Sequence, residues 1–309
     1  MLKYAAKRLL EVIPATVGIL LLTFLLFNVV GGSPAETILG KNATKESIEA
    51  FNRKWGYDKP LVFARDSQFV NFLASLAKGD LGYSIEMNEP VASVLARGVG
   101  PSLSLTVPIL VGGSAVALML AMAAAATRGS AVDSSILVAS TALMSVNYVV
   151  WVLAGQFVLS YKLGLFPVWG YESAVYLALP VVIGIVSSLG TDVRFFRSAF
   201  LDEIYKPYVL TARAKHLPKS RILFRHVLPN ALIPIVTYIS LSIPWLFTGS
   251  LLLESFFGIP GLGSVSINAI HSSDMAVVRS LVVLGALLYQ GVNLLADLAY
   301  AALDPRVRL

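Results

Sequence analysis

Seven stretches of this sequence contain no Asp, Glu, Lys or Arg, and their lengths decide what the chain can become: 12–35, 98–127, 134–161, 173–191, 227–253, 255–273 and 280–296. A helix crossing the hydrocarbon of a bilayer needs about 20 apolar residues. Six of the runs meet that requirement and predict spans at about 12–30, 102–126, 135–159, 174–191, 230–252 and 278–300. The exception is 255–273, which Gly258, Pro260, Gly261 and Gly263 interrupt. Backbone of that kind leaves N–H and C=O groups unpaired in lipid. It is expected to be a loop or a short re-entrant element packed on protein. The fold class is therefore an all-α polytopic membrane protein with about six transmembrane helices.

Composition agrees. Only 14% of residues are charged and 56% are hydrophobic, against about 25% charged in soluble domains, and the mean hydropathy is +0.75. There is no cysteine, which excludes disulfides and thiolate metal sites. Lys3, Lys7 and Arg8 precede the first apolar run, and Ser33-Pro34-Ala35 follows it. That run exceeds the 7–15 residues of a signal-peptide core, so it is expected to be kept as the first span.

The 24 Lys and Arg residues alternate along the chain. Three lie at the N-terminus, and Arg128 lies in the 128–133 turn. Eight lie in 192–229 (Arg194, Arg197, Lys206, Arg213, Lys215, Lys219, Arg221 and Arg225) against three acids. Arg306 and Arg308 lie in the tail. The 31–97 segment balances eight bases with eight acids, and 254–274 has no Lys or Arg. Short basic loops stay cytoplasmic. Both termini and 192–229 are therefore expected inside, and 31–100 outside as a mixed helix and loop segment. The net charge of +6 is mostly topology and gives no reason to expect nucleic acid. Within the external segment, Lys45–Trp55 and Phe63–Ala77 read as amphipathic helices, and Gly79-Asp-Leu-Gly82 reads as the turn that ends the second.

Catalytic constellations are missing. The sequence has no GxxxxGK[ST] loop and no GxSxG. His216, His226 and His271 form no HExxH, and His271 is expected on the opposite side from the other two. Asp297, near the cytoplasmic end of the last span, reads as the one carboxylate within a span and is expected to anchor on a base such as Arg194 or Arg306.

The stretch from Tyr208 to Pro229 predicts a short helix stopped before Pro218, then a second basic helix leading into the fifth span. Thr211, Ala212 and Ala214 are small enough for another protein surface to approach closely, and Arg213 and Lys215 supply charge. Here the sequence resembles the membrane-spanning permeases of ATP-binding-cassette importers, in the dipeptide/oligopeptide/nickel group. Their loop motif reads EAA, three residues, Gly, nine residues, then I-x-L-P. Leu210, Thr211 and Ala212 stand at the EAA positions, His216 at the Gly, and Leu228-Pro229 at the final pair. Thr211-Ala-Arg-Ala-Lys-His-Leu217 differs from the peptide-type TARAKGL at one position. Lys7-Arg-Leu-Leu10, Trp55-Gly-Tyr-Asp-Lys-Pro-Leu61, Gly79-Asp-Leu-Gly-Tyr-Ser84, Asn230-Ala-Leu-Ile-Pro234, Pro260-Gly-Leu-Gly263 and Leu303-Asp-Pro-Arg306 follow in the family's order. The external segment is similar to that of the first of the family's two permease subunits.

The resemblance implies a permease subunit of an ATP-driven importer for peptides or similar small solutes, in a bacterial or archaeal inner membrane. The 192–229 loop would carry a helix seated on a cytoplasmic ATPase. ATP would be used by two partner ATPase subunits and not by this chain, which is expected to bind no cofactor and no metal. A second homologous permease and an external solute-binding protein complete the implied assembly. Import of nickel or another chelated solute by the same architecture is the alternative reading. An autonomous channel or secondary transporter would need no ATPase, and the 208–229 motif argues against it.

Glycine at position 216 would permit a positive φ after the helix, and His tolerates that conformation only at some cost. Inside the membrane, Asn147, Trp151 and Gln156 on the third span and Gln290 and Asn293 on the sixth are candidate pathway-lining groups. Asn147 and Trp151 are spaced to share a face. Helix-to-helix bonding is the competing use of such residues. Pro101, Pro108, Pro180, Pro234 and Pro244 mark expected kinks, and Gly112-Gly-Ser114 with Ala121–Ala126 favour close packing of the second span.

Overall fold

The computed structural model describes residues 2–30, 35, 39–40, 43–62, 64, 66–84, 86–248 and 250–303, with side chains at 2–9, 29–30, 55, 245, 247–248 and 296–303 outside the description. Five helical segments in it are long and apolar enough to cross a membrane, and two bent helix pairs raise the number to seven if each is one span. The residues fall into two compact units, one of Met1–Pro101, Phe247–Leu251 and Pro260–Leu309, the other of Ser102–Leu246 and Leu252–Ile259.

In the first unit, α1 (Leu2–Leu25) runs into a π-helical turn at Leu26–Val30 and packs along α14 (Met275–Leu303). The first amphipathic stretch is a helix over its expected length, whereas the second is helical only from Gln68; Phe63 lies outside the described residues. The two helices are α2 (Lys45–Trp55), which Thr44 caps and Gly56 ends in the left-handed region, and α3 (Gln68–Ala77), which Ser67 caps. The Phe24 ring of α1 packs tilted against Phe69 and Phe72 of α3, with centroids 5.3 and 5.8 Å apart. Gly79 and Gly82 both take positive φ, as expected of the turn after α3. That turn feeds a minimal hairpin, β1 (Tyr83–Ser84) on β2 (Glu89–Pro90), which alternation over two residues is too short to signal. Ser84 donates to Asp274 at 2.5 Å, and Asp274 accepts from the Val277 N–H at the start of α14.

The helix α4 (Val91–Ala126) extends the predicted second span toward the N-terminus. In the second unit its Ala117, Ala121 and Ala125 are buried with Phe196 and Phe200 of α7 (Ala174–Ile204). A Cβ on Gly112 would sit 2.9 Å from Ile185, so the small residues of the second span do permit the close approach expected of them. The predicted fourth span ends at 191, but the helix runs 13 residues further. Charge marks where lipid stops, and Asp192, Arg194 and Arg197 are compatible with helix. Pro207 ends α7 instead, by driving Lys206 to an extended ψ of 150°.

The third span is not one straight helix. α5 (Ala131–Ser145) and the segment Tyr148–Lys162 meet at 89°. That second segment comprises α6 (Tyr148–Gly155) and a π-helical stretch, Gln156–Lys162. No proline causes the break. Val146 is extended, and the Asn147 side chain caps α6 by accepting from the Val149 N–H at 2.9 Å. Gly190 lets α7 come so close to α5 that a Cβ would lie 2.6 Å from the Ser140 carbonyl oxygen.

The fifth span is displaced from the predicted 230–252. The apolar helical segment is Lys219–Ser240, and α11 (Ile243–Thr248) is a separate short helix. Pro234 stays inside the continuous helix that ends at Ser240. The glycine-rich 255–273 run holds more helix than a loop would. α12 (Leu251–Phe257) and α13 (Leu262–His271) meet at 84°, the geometry of a broken span or a re-entrant element. Gly258 has φ +69°, and a Cβ there would overlap the Trp169 ring at 2.1 Å. Asp297 is not the only carboxylate among apolar helices. Glu254 of α12 is fully buried and accepts from the Ser102 hydroxyl at 2.8 Å. In the sequence Glu254 merely separates two uncharged runs, which conceals its place inside an apolar helix. The Asp297 side chain and Arg306 lie outside the described residues.

Candidate functional site

Between α7 and the Lys219–Ser240 segment the chain builds a short helix with two distinct faces, α8 (Pro207–Ala214). Pro207 stands at its first turn, where a missing N–H costs nothing. Val209 and Ala212, three residues apart, point inward and are buried with Phe196, Phe200, Ile222, Val227 and Ala231. Leu210, Thr211, Arg213 and Ala214 are exposed, and Leu210 is 55% exposed. Ala212 therefore seats the helix on its own chain and does not meet an outside surface.

The end of α8 has the bonding pattern of a Schellman motif. Leu217 N–H donates to the Ala212 carbonyl at 3.4 Å and His216 N–H to the Arg213 carbonyl at 2.9 Å. His216 takes φ +55°, the left-handed conformation for which glycine is suited. Lys215 and His216 are exposed on this turn.

Below the helix, Glu203 at the end of α7 accepts from Lys206 at 2.5 Å and from the Tyr208 hydroxyl at 2.7 Å. Burial, reinforced by that hydrogen bond, pushes the Tyr208 hydroxyl up to about 12. It therefore stays protonated and donating throughout the physiological range. Arg197 makes a two-bond pair with Asp133 of α5, at 2.7 and 2.8 Å, and Asp133 also accepts from the Gly129 N–H. Arg128 bonds the Tyr205 hydroxyl and lies 5.0 Å over its ring. These contacts hold the root of α8 to two longer helices.

After Pro218, the chain passes through α9 (Lys219–Ile222) and a π-helical turn at Leu223–Val227 into α10 (Leu228–Ser240). Pro229 supplies no N–H to the turn before it, and Leu228 N–H donates five residues back, to Leu223. Leu228 is half-buried and Pro229 exposed. The Leu-Pro pair thus marks where the register slips as the helix leaves the loop.

The candidate pathway residues fall in both units. Asn147 uses its side-chain oxygen as a cap, and the Trp151 indole N–H approaches the Leu143 carbonyl at 3.4 Å. Gln156 donates to the Val168 and Phe256 carbonyls at 2.9 and 2.8 Å, which ties three segments of the second unit together. Gln290 and Asn293 are half-buried on α14 in the first unit, and Gln290 faces Thr16, Ile19 and Leu20 of α1.

Residues 101–309 match the family described as binding-protein-dependent transport system inner membrane component, and residues 1–106 match the N-terminal family of the same membrane components. The chain is 32% identical over its whole length to the glutathione transport system permease protein GsiC of Pectobacterium atrosepticum, of which it covers 99%. The proteins of that name in Escherichia coli K12 and Shigella flexneri serotype 5b are 31% and 32% identical, with 100% of this chain and 99% of each relative covered.

Proposed function

The chain belongs to the inner-membrane components of binding-protein-dependent transport systems, and on that premise we propose that it forms half of a pathway for glutathione-like short peptides, driven through α8. It is a permease subunit of an ATP-binding-cassette importer of the dipeptide/oligopeptide family. The family is not itself catalytic, so ATP hydrolysis falls to two separate ATPase subunits. A second homologous permease forms the other half of the pathway, and an external binding protein delivers the solute. Both termini and α8 face the cytoplasm. The relatives are named for glutathione transport, and glutathione or another short peptide is accordingly the solute assigned here.

The observation that carries the coupling role is the two-faced α8. A helix of eight residues is too short to be stable alone, yet this one is held by Val209 and Ala212 while Leu210, Thr211, Arg213 and Ala214 remain outside. The exposed face carries an apolar side chain, a hydroxyl and a cation at the family's motif positions, and it is the face assigned to the ATPase.

Because the chain has no cysteine, a single one reports contact cleanly. In the assembled transporter, Leu210→Cys is expected to cross-link to the ATPase through a short bifunctional thiol–amine reagent, and Ala212→Cys is not. ATP-dependent uptake of labelled glutathione into proteoliposomes tests the solute. Efficient cross-linking from 212 with none from 210 would refute the assigned face.

A further inference from the structure

Arg279 of α14 lies in the first unit beside a cavity of about 280 Å³. Its guanidinium sits 5.0 Å over the Phe72 ring, and among the described residues no carboxylate or carbonyl is hydrogen-bonded to it. An arginine stays charged and carries five donors. Partly buried donors in that number normally find acceptors, so an unfilled set facing a cavity points to a ligand.

The same cavity is lined by Asn28, Tyr57, Asn71 and Asp80. Asn28 and Asn71 each spend one amide N–H within the chain, on the Phe24 carbonyl at 2.9 Å and on Asp66 at 3.0 Å. Burial raises the Tyr57 hydroxyl above its ordinary value, with the charge of Arg279 opposing. Tyr57 is therefore a protonated donor at neutral pH. Asp80 accepts from the Gly82 N–H through Oδ1 at 2.8 Å. One fixed cation and one fixed anion on a single cavity suit a molecule carrying both charges.

We propose that this cavity receives a small peptide-like zwitterion, its carboxylate on the Arg279 fork and Tyr57 hydroxyl and its ammonium toward Asp80. The planar guanidinium matches a carboxylate with two parallel hydrogen bonds. The inference rests on the peptide-import reading above and adds a holding site on this chain to it.

The test is equilibrium binding of radiolabelled Ala-Ala and Ala-Ala amide to the assembled transporter in phosphatidylcholine nanodiscs, without the external binding protein. Saturable binding of Ala-Ala is expected, weakened about tenfold or more by Arg279→Gln and less by Arg279→Lys. The amide, lacking the carboxylate, is expected to bind weakly and to be indifferent to Arg279→Gln. Unchanged Ala-Ala affinity in Arg279→Gln, or equal weakening of acid and amide, would overturn the assignment. Should Arg279→Gln fail to assemble, Tyr57→Phe is expected to weaken Ala-Ala severalfold, and unchanged affinity there would overturn it equally. Loss of binding when phosphatidylglycerol replaces phosphatidylcholine would assign the cavity to a lipid headgroup. No binding to a complex that imports Ala-Ala would reject the holding site alone. Arg279-dependent binding in a complete system that imports no peptide would reject the transport reading and leave the site standing.

Discussion

His216 occupies a left-handed position, φ +55°, where the family pattern has glycine. A non-glycine residue there costs roughly 1–2 kcal/mol, and the two Schellman hydrogen bonds hold it in place. His216→Gly is expected to raise the thermal midpoint of the purified chain while leaving uptake intact. His216→Val, β-branched and worse in this region, is expected to lower it. A lower midpoint for the glycine variant would show that the imidazole makes a compensating contact. The family resemblance puts His216 at the glycine of this turn but leaves open whether the turn keeps its form with His there; the positive φ shows that it does. The orientation of α8 was not legible, because spacing fixes which residues share a face but not which face meets the core. Leu210, the bulkier apolar residue, faces out, and Ala212 faces in. Ala212→Asp would place a charge in the core beneath α8. It is expected to destabilise the chain by several kcal/mol, whereas Thr211→Asp, on the exposed face, is expected to leave the melting curve unchanged and impair coupling of ATP hydrolysis to uptake. Equal melting of the two variants would overturn that division of roles.

At the scale of elements, apolar runs gave the existence of the long helices but not their breaks. The 89° turn between α5 and α6 depends on one capping side chain inside an uninterrupted apolar run, and hydrophobicity carries no trace of it. Pro180 and Pro234, the obvious punctuation, remain inside continuous helices. Asn147→Ala is expected to cost about 1 kcal/mol, the usual value of a lost cap, measurable by denaturation in detergent. The ionic tie between α5 and α7 is larger in consequence. Arg197 and Asp133 are only 16% and 6% exposed, and removing one partner of a buried pair strands the other charge. Arg197→Ala is expected to cost about 3–5 kcal/mol, while the apolar double replacement Arg197→Met with Asp133→Leu recovers most of it. A double variant no more stable than the single one would mean that the pair does more than satisfy its own charges. Nothing in the sequence links positions 64 residues apart. Such pairings emerge only once the break and the Gly190 contact have set two helices side by side.

For the whole molecule, the number of crossings decides the sidedness of every other feature, and helix lengths permit five to seven. Charge favours six. If the bent Ala131–Lys162 pair did not cross, Arg128 and the eight bases of 192–229 would lie on opposite sides. Short basic loops belong on one side, which favours a crossing by that pair despite its bend. If the α12–α13 pair crossed as well, the tail bearing Arg306 and Arg308 would face away from the basic 192–229 segment. The absence of Lys and Arg from 254–274 and the 84° bend fit a re-entrant pair that returns to the side it left. The charge pattern supports the proposed arrangement of six crossings, with α8 and both termini cytoplasmic and α2 outside. With no native cysteine to confuse the result, Ser47→Cys on α2 and Lys215→Cys after α8 are expected to react from opposite faces. A membrane-impermeant maleimide should label 47 in intact cells and 215 only in inverted vesicles. A cysteine added after Leu309 should behave like the one at 215. Labelling of that terminal thiol in intact cells would require the second bent pair to cross and would reverse the topology assigned to the last helix.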